Sequence, residues 1–471
     1  MILKAYWTVL VIVFIGLTVY FNISTLLVVD EEKNLAVKPL VLPVKKIMAY
    51  SFNKQIELDG KEFVCENRFS KNNASGLNEA KFWSKVADME VYVTSVTLDE
   101  RLEPYSYLRI VGAMKGSWNA TLYCQISTND DNVRIIKSTV TPIWYEKWDM
   151  NDNNTYYNPV LISCRLPGFI NSSKPTSVAL SKNPCQSSHK YLEIAKPKVI
   201  RKLNFTLCVK PLNFAQDISG HLVEWIEMSR ILGAQYFHIF VQNVTKSTRR
   251  LLKWYKHRYP NMINLEDFSP VDSCNSCTKR NYLQQTWQRR RYEVVTYNKC
   301  FYSNLNSQFI VPLDVDEIIV PKSVRTWQDL VQNRGNYSSL IIQNVYFFAR
   351  SKNRFNRPFF LNENRRNKVP NQKGENGKSF ISTKNTLTVF NHYALQLLRP
   401  GVIKDYYFMQ FTDAQLNHYK ASCNSEIFPE CAKYLSSPTI IDDIISRYKN
   451  EFYLRYHKVL NRMKNDGINI F

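Results

Sequence analysis

Residues 308–321 read QFIVPLDVDEIIVP, and this stretch decides how the rest of the chain is interpreted. An apolar run from Gln308 to Leu313 ends abruptly in Asp314-Val315-Asp316-Glu317, and a second apolar run follows at once. Acids at positions i and i+2, at the carboxyl end of a strand, place two hard oxygen ligands near one point, as Mg²⁺ or Mn²⁺ prefers. The plainer alternative is a solvated turn, but the apolar flanks place the acids beside the core, where unpaired charge is costly.

The segments around this stretch alternate between strand and helix patterns. Apolar residues recur at helical spacing from His221 to Leu232, and Gly233 can end that helix. Strands are predicted at Phe205–Val209, Tyr236–Gln242, Met262–Leu265, Gln308–Leu313 and Ser339–Asn344, and further helices at Thr245–Arg258, Asn281–Tyr302 and Arg325–Asn333. This alternation predicts an α/β fold with a mostly parallel sheet, flanked by helices, and with ligands beyond the carboxyl ends of its strands.

The preceding residues, 55–197, have a strand-like pattern without the alternating helices. Short runs such as Val91–Val96, Tyr107–Val111, Thr121–Ile126 and Val160–Ile162 are rich in β-branched and aromatic residues and are separated by turn formers. We therefore predict a β-rich accessory domain that ends near Lys196–Lys198. The predicted division is a cytosolic tail at 1–4, a transmembrane signal-anchor at 5–29, a stem at 30–54, the accessory domain at 55–197, a catalytic domain at 198–435 and a helical tail at 436–471.

The compartment is predicted from three features. The Ala5–Val29 segment has no charged residue and is long enough to cross a bilayer as a helix, which favours a single-pass type II membrane protein with a lumenal body. The chain has ten cysteines, an even number that is typical of disulfides in a lumenal protein. Glycosylation sequons occur at Asn73, Asn119, Asn153, Asn171, Asn204, Asn243 and Asn336.

Two further patterns have plainer interpretations than a metal site or a nucleic-acid partner. Cys274 and Cys277 have the spacing of a metal-ligand pair, but no second pair at similar spacing accompanies them, so a local disulfide is favoured, as it is for Cys423 with Cys431. The net charge of +22 is spread along the chain and no nucleic-acid-binding motif accompanies it. A lumenal chain with this charge is expected to meet a sugar nucleotide, a phosphorylated glycan or an acidic membrane surface rather than nucleic acid.

Four segments together resemble glycosyltransferase family 92. They are FTLCVKPL from Phe205, LVEWIEMSRILG from Leu222, YFHIFV from Tyr236 and FIVPLDVDEII from Phe309, and the resemblance extends over about Leu203 to Lys420. It implies a GT-A-type nucleotide-sugar-binding fold in a type II membrane protein of the Golgi. The implied reaction is an inverting, metal-dependent transfer of galactose from UDP-galactose to a glycan, in invertebrates to fucose on N-glycan cores, with Mn²⁺ or a similar divalent ion as cofactor.

The same resemblance implies roles for particular residues. Asp316 would be the principal metal ligand, and Asp314 would contact metal and ribose. Glu317 is open between a functional role and a structural cap on the following element. A late histidine would add a metal or diphosphate contact, and of His392 and His418 the first is preferred.

Donor-binding candidates surround these acids. Lys210 and Asp217 follow the first strand, although an acid before a helix also interacts favourably with the helix dipole. Gln285, Gln288 and Arg289 lie on the helix before the metal strand. Lys378 and Lys384 lie in a loop that resembles the family's basic segment before the late histidine, where a lysine could screen diphosphate, but surface lysines are the expectation. Inversion needs a base for the acceptor hydroxyl, and the sequence does not rank its candidates, which are Glu363, Asp405 and Asp413.

Two other classes of function have weaker support in the sequence. One is a catalytically inactive lumenal glycan-binding protein that retains the glycosyltransferase frame, and the presence of both Asp314 and Asp316 argues against it. The other is an acid-metal hydrolase, which would need more carboxylates converging with histidine, such as a His-x-x-Glu-His pattern, and the sequence has none.

Overall fold

The structure is a computed structural model of the chain. It describes residues 62–65, 82–86, 89–116, 121–129, 132–145, 148, 156–166, 174–186, 188, 190–195, 201–271, 282–348, 358–420 and 431–468. The chain divides into two compact units, Met1–Pro43 and Val44–Phe471, and every described residue belongs to the second. In those residues no helix has the length and apolar character needed to cross a bilayer. The predicted anchor at Ala5–Val29, the stem and the Lys196–Lys198 boundary lie outside the described residues.

The first part of the chain forms two five-stranded antiparallel sheets. One has the order β1-β6-β5-β9-β10 and the other β2-β3-β4-β8-β7. Their strands are β1 Glu62–Phe63, β2 Ser84–Lys85, β3 Val91–Leu102, β4 Tyr105–Lys115, β5 Tyr123–Thr128, β6 Val133–Lys137, β7 Thr139–Pro142, β8 Tyr157–Arg165, β9 Pro175–Ser181 and β10 Leu192–Glu193. Inward side chains such as Leu108, Ile126 and Ile162 fill a core between the sheets. The strand-like runs predicted in this region all fall in or overlap these strands.

A seven-stranded sheet follows, with the order β13-β12-β11-β14-β19-β16-β22. Its strands are β11 Leu203–Asn213, β12 Tyr236–Asn243, β13 Ile263–Asp267, β14 Ser307–Pro312, β16 Tyr337–Ile342, β19 Lys378–Ser382 and β22 Lys404–Phe408. Strands β13, β12, β11 and β14 are mutually parallel, and β19 is the antiparallel member. The prediction of a mostly parallel sheet is therefore confirmed, and the carboxyl ends of β11 and β14 lie side by side.

Helices cover this sheet, as the sequence pattern predicts. They are α1 Ser219–Leu232, α2 Lys246–Arg258, α3 Tyr282–Ser303, α4 Trp327–Leu330, α5 Phe359–Asn362, α6 Cys431–Ser436 and α7 Lys449–Asn465, with a 3₁₀ helix at Ile444–Tyr448. The helix α1 ends at Gly233, where φ is 133° and a side chain would be strained. The helix predicted over Arg325–Asn333 is shorter, because Asn333 turns the chain with a positive φ of 62°.

A fourth sheet carries the residues that follow the acidic turn. It has the order β15-β23-β17-β18-β24 and contains β15 Glu317–Pro321, β17 Asn344–Phe348, β18 Arg365–Asn367, β23 Ala414–Lys420 and β24 Thr439–Ile441. A separate hairpin joins β20 Thr386–Val389 to β21 Ala394–Leu397. The chain thus passes from the seven-stranded sheet at β14 into this sheet at β15, and the acids occupy the turn between them.

Three disulfides join Cys65 to Cys185, Cys124 to Cys164 and Cys208 to Cys300. They confirm the prediction of disulfide bonds for these six cysteines. The Cys208–Cys300 bond ties β11 to α3 and so fixes the strand that carries Lys210 against the helix that carries Glu293. The pairs Cys274–Cys277 and Cys423–Cys431 lie outside the residues whose side chains are described.

Candidate active site

The acidic turn is closed by two hydrogen bonds between its first and last residues. The backbone N–H of Glu317 donates to the carbonyl oxygen of Asp314 at 3.0 Å, and the N–H of Asp314 donates to Glu317 Oε2, also at 3.0 Å. The Glu317 side chain is 3% exposed, whereas that of Asp316 is 41% exposed. Glu317 therefore holds the turn from inside, and Asp316 faces solvent.

Two lysines converge on Asp314 from the neighbouring strands. Lys210 Nζ, on β11, lies 3.1 Å from Asp314 Oδ2. Lys378 Nζ, on β19, lies 3.6 Å from the same oxygen and 3.4 Å from Glu317 Oε2, and its side chain is 2% exposed. Burial alone would raise the pKa of Asp314, but the charges of Lys210 and Lys378 outweigh burial and hold the pKa below its ordinary value. Asp314 is therefore ionised at neutral pH.

His418 approaches the acids from β23. In the antiparallel register His418 is opposite Glu317, and the N–H of Tyr419 donates to the carbonyl oxygen of Asp316 at 2.8 Å. His418 Nε2 lies 3.5 Å from Asp316 Oδ2, and its Nδ1 lies 3.5 Å from Glu317 Oε1. Burial is the largest single influence on Asp316 and would raise its pKa, but the charge and hydrogen bond of His418, together with the charge of Lys420, outweigh burial and lower the pKa. Asp316 thus also carries a negative charge.

The turn keeps unused capacity to bind a cation. Asp314 Oδ1 is buried and has no hydrogen-bond partner among the residues described here, a costly state for a carboxylate oxygen. Across the described ranges, no group of three or more His, Cys, Asp or Glu side chains is arranged as a complete metal cage. A divalent ion held here would therefore complete its ligand set with substrate phosphates and water, as Mg²⁺ and Mn²⁺ sites commonly do.

His392 occupies a different position from His418. Its Nδ1 lies 2.6 Å from the carbonyl oxygen of Gly377, the residue before Lys378, and it makes no described hydrogen bond to Asp314 or Asp316. Burial, followed by the charge of Lys378, lowers the pKa of His392 to about 3, so the ring is neutral. The metal role assigned to His392 stays a prediction, while the geometry places His418 next to Asp316.

Some of the predicted donor-binding residues lie at the acidic turn and others do not. Lys210 and Asp314 are in contact there, 3.1 Å apart. Asp217 instead accepts hydrogen bonds from the N–H of Ser219 at 3.0 Å and from Thr248 Oγ1 at 2.9 Å, both at helix starts. These contacts match the structural alternative that the sequence left open for Asp217.

The residues predicted on α3 are directed toward other partners. The Gln288 amide pairs with the backbone N–H and carbonyl of Tyr157 in β8, at 2.9 and 3.1 Å. Arg289 is half exposed, 4.0 Å from Glu293 Oε1, and the side chain of Gln285 lies outside the description. Two other α3 residues are at the site: Glu293, whose Oε1 lies 3.8 Å from Lys210 Nζ, and Tyr297, whose pKa is raised first by burial and then by the charges of Asp314 and Glu293.

The strand registers separate the three candidate bases. Asp413 lies beside Pro321, at the opposite end of the β15–β23 pair from Asp316. Asp405 lies at the start of the edge strand β22, next to Ser338, and so toward the opposite end of the sheet from Asp314. Glu363 precedes β18 on the side where β17 ends, which is the same end as Asp316, and burial raises its pKa. Glu363 is therefore the candidate on the acidic side of its sheet.

Three of the sequons fall on described residues. Asn243 and Asn336 are exposed, as a glycan requires, whereas Asn204 is partly buried and its N–H donates to Gln235 Oε1 at 2.6 Å. Asn73, Asn119, Asn153 and Asn171 lie outside the described residues.

Sequence reasoning gave too little weight to Lys378, which was expected to be a surface lysine, and made no use of Glu293 or His221. His221 Nε2 lies 2.8 Å from the carbonyl oxygen of Val315, and so holds the middle of the acidic turn. The available signal for His221 was its place in the first turn of α1, the helix that packs beneath the turn through Trp225 Nε1, which donates to the Glu317 carbonyl oxygen at 2.9 Å. Lys384, by contrast, is exposed as expected.

Comparisons with known proteins bear on this site. A comparison with curated proteins gives no significant match. Among solved structures, ferredoxin–NADP⁺ reductase from Plasmodium falciparum with 2'P-AMP matches at 10% identity, covering 44% of this chain and 82% of that chain, with a TM-score of 0.13. A mutant of the same reductase matches at 12% identity, covering 48% and 86%, with a TM-score of 0.12. Scores this low carry no argument about fold or function.

The comparison with protein families is informative. Residues 204–455 match glycosyltransferase family 92, a span that is more than half of the chain and that includes β11, the acidic turn, Lys378 and His418. A family of glycosyltransferases acts on a nucleotide-sugar donor and a glycan acceptor, and a cluster of acids and lysines at the carboxyl ends of parallel strands suits such a donor. The chain belongs to glycosyltransferase family 92.

Proposed function

We propose that this chain transfers galactose from UDP-galactose to a glycan acceptor, with inversion at the anomeric carbon, in a GT-A-type site that uses a divalent metal such as Mn²⁺. The observation that carries the proposal is the pair Asp314 and Asp316, which is delivered by β14 next to Lys210 and Lys378. The choice of galactose, and of fucose on an N-glycan core as acceptor, rests on the resemblance of the four sequence segments to the family.

The residues of the turn fit a divalent ion. Asp316 offers half-exposed carboxylate oxygens, and Asp314 Oδ1 is an unpaired oxygen beside it. Asp316 would be the principal ligand, with Asp314 as the second contact. When bound, the ion would act as a Lewis acid that neutralises the charge of the leaving diphosphate.

Three other side chains of the site have separate roles in binding the diphosphate and in positioning the carboxylates. Lys210 is 35% exposed and so has room to turn from Asp314 toward a bound diphosphate. Lys378 is buried between Asp314 and Glu317 and keeps both carboxylates in place. His418 contacts Asp316 and Glu317 together, which sets the direction of the Asp316 carboxylate. Such fixed charges stabilise a developing negative charge without reorganisation during the reaction.

Inversion requires a base on the acceptor side, and we assign it to Glu363. The Glu363 carboxylate takes the proton of the acceptor hydroxyl as that oxygen forms a bond to the anomeric carbon, and UDP leaves with the electron pair of the broken bond. Burial raises the pKa of Glu363, and a base with a raised pKa is the stronger proton acceptor. Glu363 also lies at the same end of its sheet as Asp316, unlike Asp405 and Asp413.

The proposal includes the cellular compartment of the chain. The apolar segment Ala5–Val29 would anchor the chain in the Golgi membrane as a type II protein, with residues 30–471 in the lumen. The disulfides and the exposed sequons at Asn243 and Asn336 support an oxidising, glycosylating compartment.

The experiment is a donor panel with the purified full-length chain. Titration calorimetry against UDP-galactose, UDP-glucose and UDP-N-acetylglucosamine with Mn²⁺ present should give binding to UDP-galactose that is lost with a chelator. Transfer to a core-fucosylated N-glycan oligosaccharide should then follow by mass spectrometry. Glycan binding without any turnover of a UDP-sugar would instead establish the inactive glycan-binding protein.

A further inference from the structure

An aromatic cluster lies where the first two sheets meet the hairpin β20–β21. We call it the Trp148 cluster and define it as Trp144, Trp148, Trp287 and Phe390. The Trp148 ring stacks on Phe390 with centroids 4.2 Å apart and planes inclined by 20°. Trp144 meets Trp148 edge to face at 5.2 Å and Trp287 at 6.3 Å. Two members come from the accessory region, one from α3 and one from the loop that carries His392.

The cluster is held firmly in place. Asn298 on α3 bonds both the N–H and the carbonyl of Val389, next to Phe390, at 2.9 and 2.8 Å. Arg291 lies over the Trp144 ring at 4.4 Å. On the other side of the hairpin, Gln396 Nε2 donates to the Pro142 carbonyl oxygen at 3.3 Å. The accessory region therefore has a fixed position against the His392 loop.

The cluster presents aromatic surface to solvent. Trp144 is 7% exposed, so it forms the base of the cluster. Trp148, Trp287 and Phe390 are each only partly buried. Aromatic side chains in such a grouping suit a ligand that has one apolar face and a polar rim. A hexose ring is such a ligand, since its C–H bonds gather on one face and its hydroxyls project from the edge.

A short chain of contacts connects the cluster to the acidic turn. The Phe390 and His392 rings lie 5.6 Å apart. His392 Nδ1 contacts the carbonyl oxygen of Gly377, and Lys378, the next residue, contacts Asp314. These contacts connect the cluster to Asp314 through the His392 loop and Lys378.

We propose that the accessory region supplies the acceptor subsite, with a sugar ring of the acceptor glycan packing on Trp148 and Phe390. This inference rests on the proposed function and adds to it a role for the accessory sheets. A glycosyltransferase must hold its acceptor beside the donor, and the cluster is a partly exposed aromatic surface that is connected to the acidic turn through His392 and Lys378. Arg290, which lies 4.9 Å from the Trp287 ring centre, offers hydrogen bonds to hydroxyls at its edge.

The test compares two tryptophans at the same interface. Trp148→Leu keeps apolar bulk and removes the aromatic ring, and Trp148→Phe restores a ring. Trp83→Leu is the matched control, because Trp83 is a partly buried accessory tryptophan outside the cluster. Its Nε1 donates to the Ser269 carbonyl oxygen at 2.7 Å, and its ring contacts Phe82 and Tyr292. Transfer from UDP-galactose to the core-fucosylated oligosaccharide gives KM for donor and acceptor separately.

We expect Trp148→Leu to raise the acceptor KM about tenfold, which corresponds to about 1.4 kcal/mol for the lost aromatic contact. The donor KM should stay within about twofold, and Trp148→Phe should recover most of the acceptor KM. An unchanged acceptor KM, an equal rise in donor KM that points to uracil stacking, or the same rise in Trp83→Leu would each overturn the inference. If Trp148→Leu loses its cooperative unfolding transition, Phe390→Leu is judged by the same criteria.

Failure of the proposed function gives a different result from failure of the subsite. If the parent chain turns over no UDP-sugar, the proposed function fails, and the subsite is judged by quenching of tryptophan fluorescence with the oligosaccharide. Saturable quenching that is lost in Trp148→Leu and retained in Trp83→Leu supports the subsite. Absence of quenching in the parent chain refutes it.

Discussion

Two clusters of acidic and basic side chains in this protein differ in how completely their carboxylate oxygens are paired, and the difference distinguishes a structural cluster from a candidate binding site. In the accessory region Asp99 is fully buried, its Oδ1 is bonded to Arg101 Nε at 2.7 Å, and its Oδ2 lies 2.8 Å from Arg101 Nη2 and 3.1 Å from Arg109 Nε. At the acidic turn, Asp314 Oδ1 has no partner within the described part of the chain, and Asp316 is half exposed. The fully paired carboxylate of Asp99 supports the fold, whereas the unpaired oxygen of Asp314 lies in the turn where we propose that the metal binds.

The position of the Asp99 cluster explains its completeness. Arg101 also donates to the carbonyl oxygens of Thr383 and Thr386, and Arg399 donates to the carbonyl oxygen of Arg101. The cluster thus clamps β3 to the segment between β19 and β20, the same segment that continues into the His392 loop. At the acidic turn Lys210, Lys378 and His418 contact the acids, and Lys420 adds a further positive charge near Asp316, but none of the described residues bonds Asp314 Oδ1.

The largest effect should come from Asp316→Asn. The substitution removes the half-exposed carboxylate that we propose as the principal metal ligand, and metal stabilisation of a leaving group is worth several kcal/mol, or about 10³-fold in rate. Stability should change little, since this side chain is half exposed. Transfer rates and thermal unfolding of the purified variant provide the check. Asp267→Asn, at a 75% exposed carboxylate, is the control and should be unaffected, and an active Asp316→Asn would contradict the site.

The next effect should come from Lys378→Met, and it should lower stability as well as rate. Lys378 is 2% exposed and lies between Asp314 and Glu317. Removing it leaves two buried carboxylates undercompensated, at a cost of about 3 kcal/mol in the free energy of unfolding. Denaturant unfolding at pH 7 measures this cost, with Lys384→Met as the exposed control from the same segment. Equal stability of the two variants would refute a structural role for Lys378.

The Asp99 cluster should give an effect that depends on acid. Burial alone would raise the pKa of Asp99, but its bonds to Arg101 and the charges of Arg101 and Arg109 lower it to about 2 from 3.8. A lowered pKa stabilises the fold at pH values above about 4, and that contribution is lost as pH falls through about 2. Asp99→Asn should therefore cost about 2 kcal/mol at pH 7.

The loss of unfolding free energy caused by Asp99→Asn should be smaller at pH 3, where part of the contribution from the Asp99 charge is already lost. Urea unfolding at both pH values provides the comparison, and Glu100→Gln, at the exposed neighbour of Asp99, is the control. A cost for Asp99→Asn that is the same at pH 3 and pH 7 would mean that the charge of Asp99 is not what stabilises the interface.

Sequence patterns predicted the strands and helices around the site better than the side chains that meet in it. The apolar run before Asp314, the helical spacing from His221 to Leu232 and the long helix before β14 all follow from local periodicity, which is a property of neighbouring residues. Lys378 is different, because it reaches Asp314 only through the antiparallel insertion of β19 between β14 and β16. No local spacing encodes which distant strand inserts at that position.

The choice between His392 and His418 shows the same limit. Both lie in an Asn-His-Tyr tripeptide, at 391–393 and at 417–419, so their local sequences are identical. Only the pairing of β23 with β15 brings His418 opposite Glu317, while His392 lies in the loop between β20 and β21. Tertiary pairing, and not residue type, decides which ring is near the acids.

The smallest predicted effect tests this pair of histidines directly. His418→Gln should raise the Mn²⁺ concentration needed for half-maximal transfer about tenfold, since a residue that orients a metal ligand commonly contributes that much to metal affinity. His392→Gln should change it by no more than about twofold, because the His392 ring contacts Gly377 and not Asp316. Mn²⁺ titration of both variants at saturating UDP-galactose measures the difference. The reverse order would return the metal role to His392 and would mean that the ring moves away from Gly377 when the donor binds.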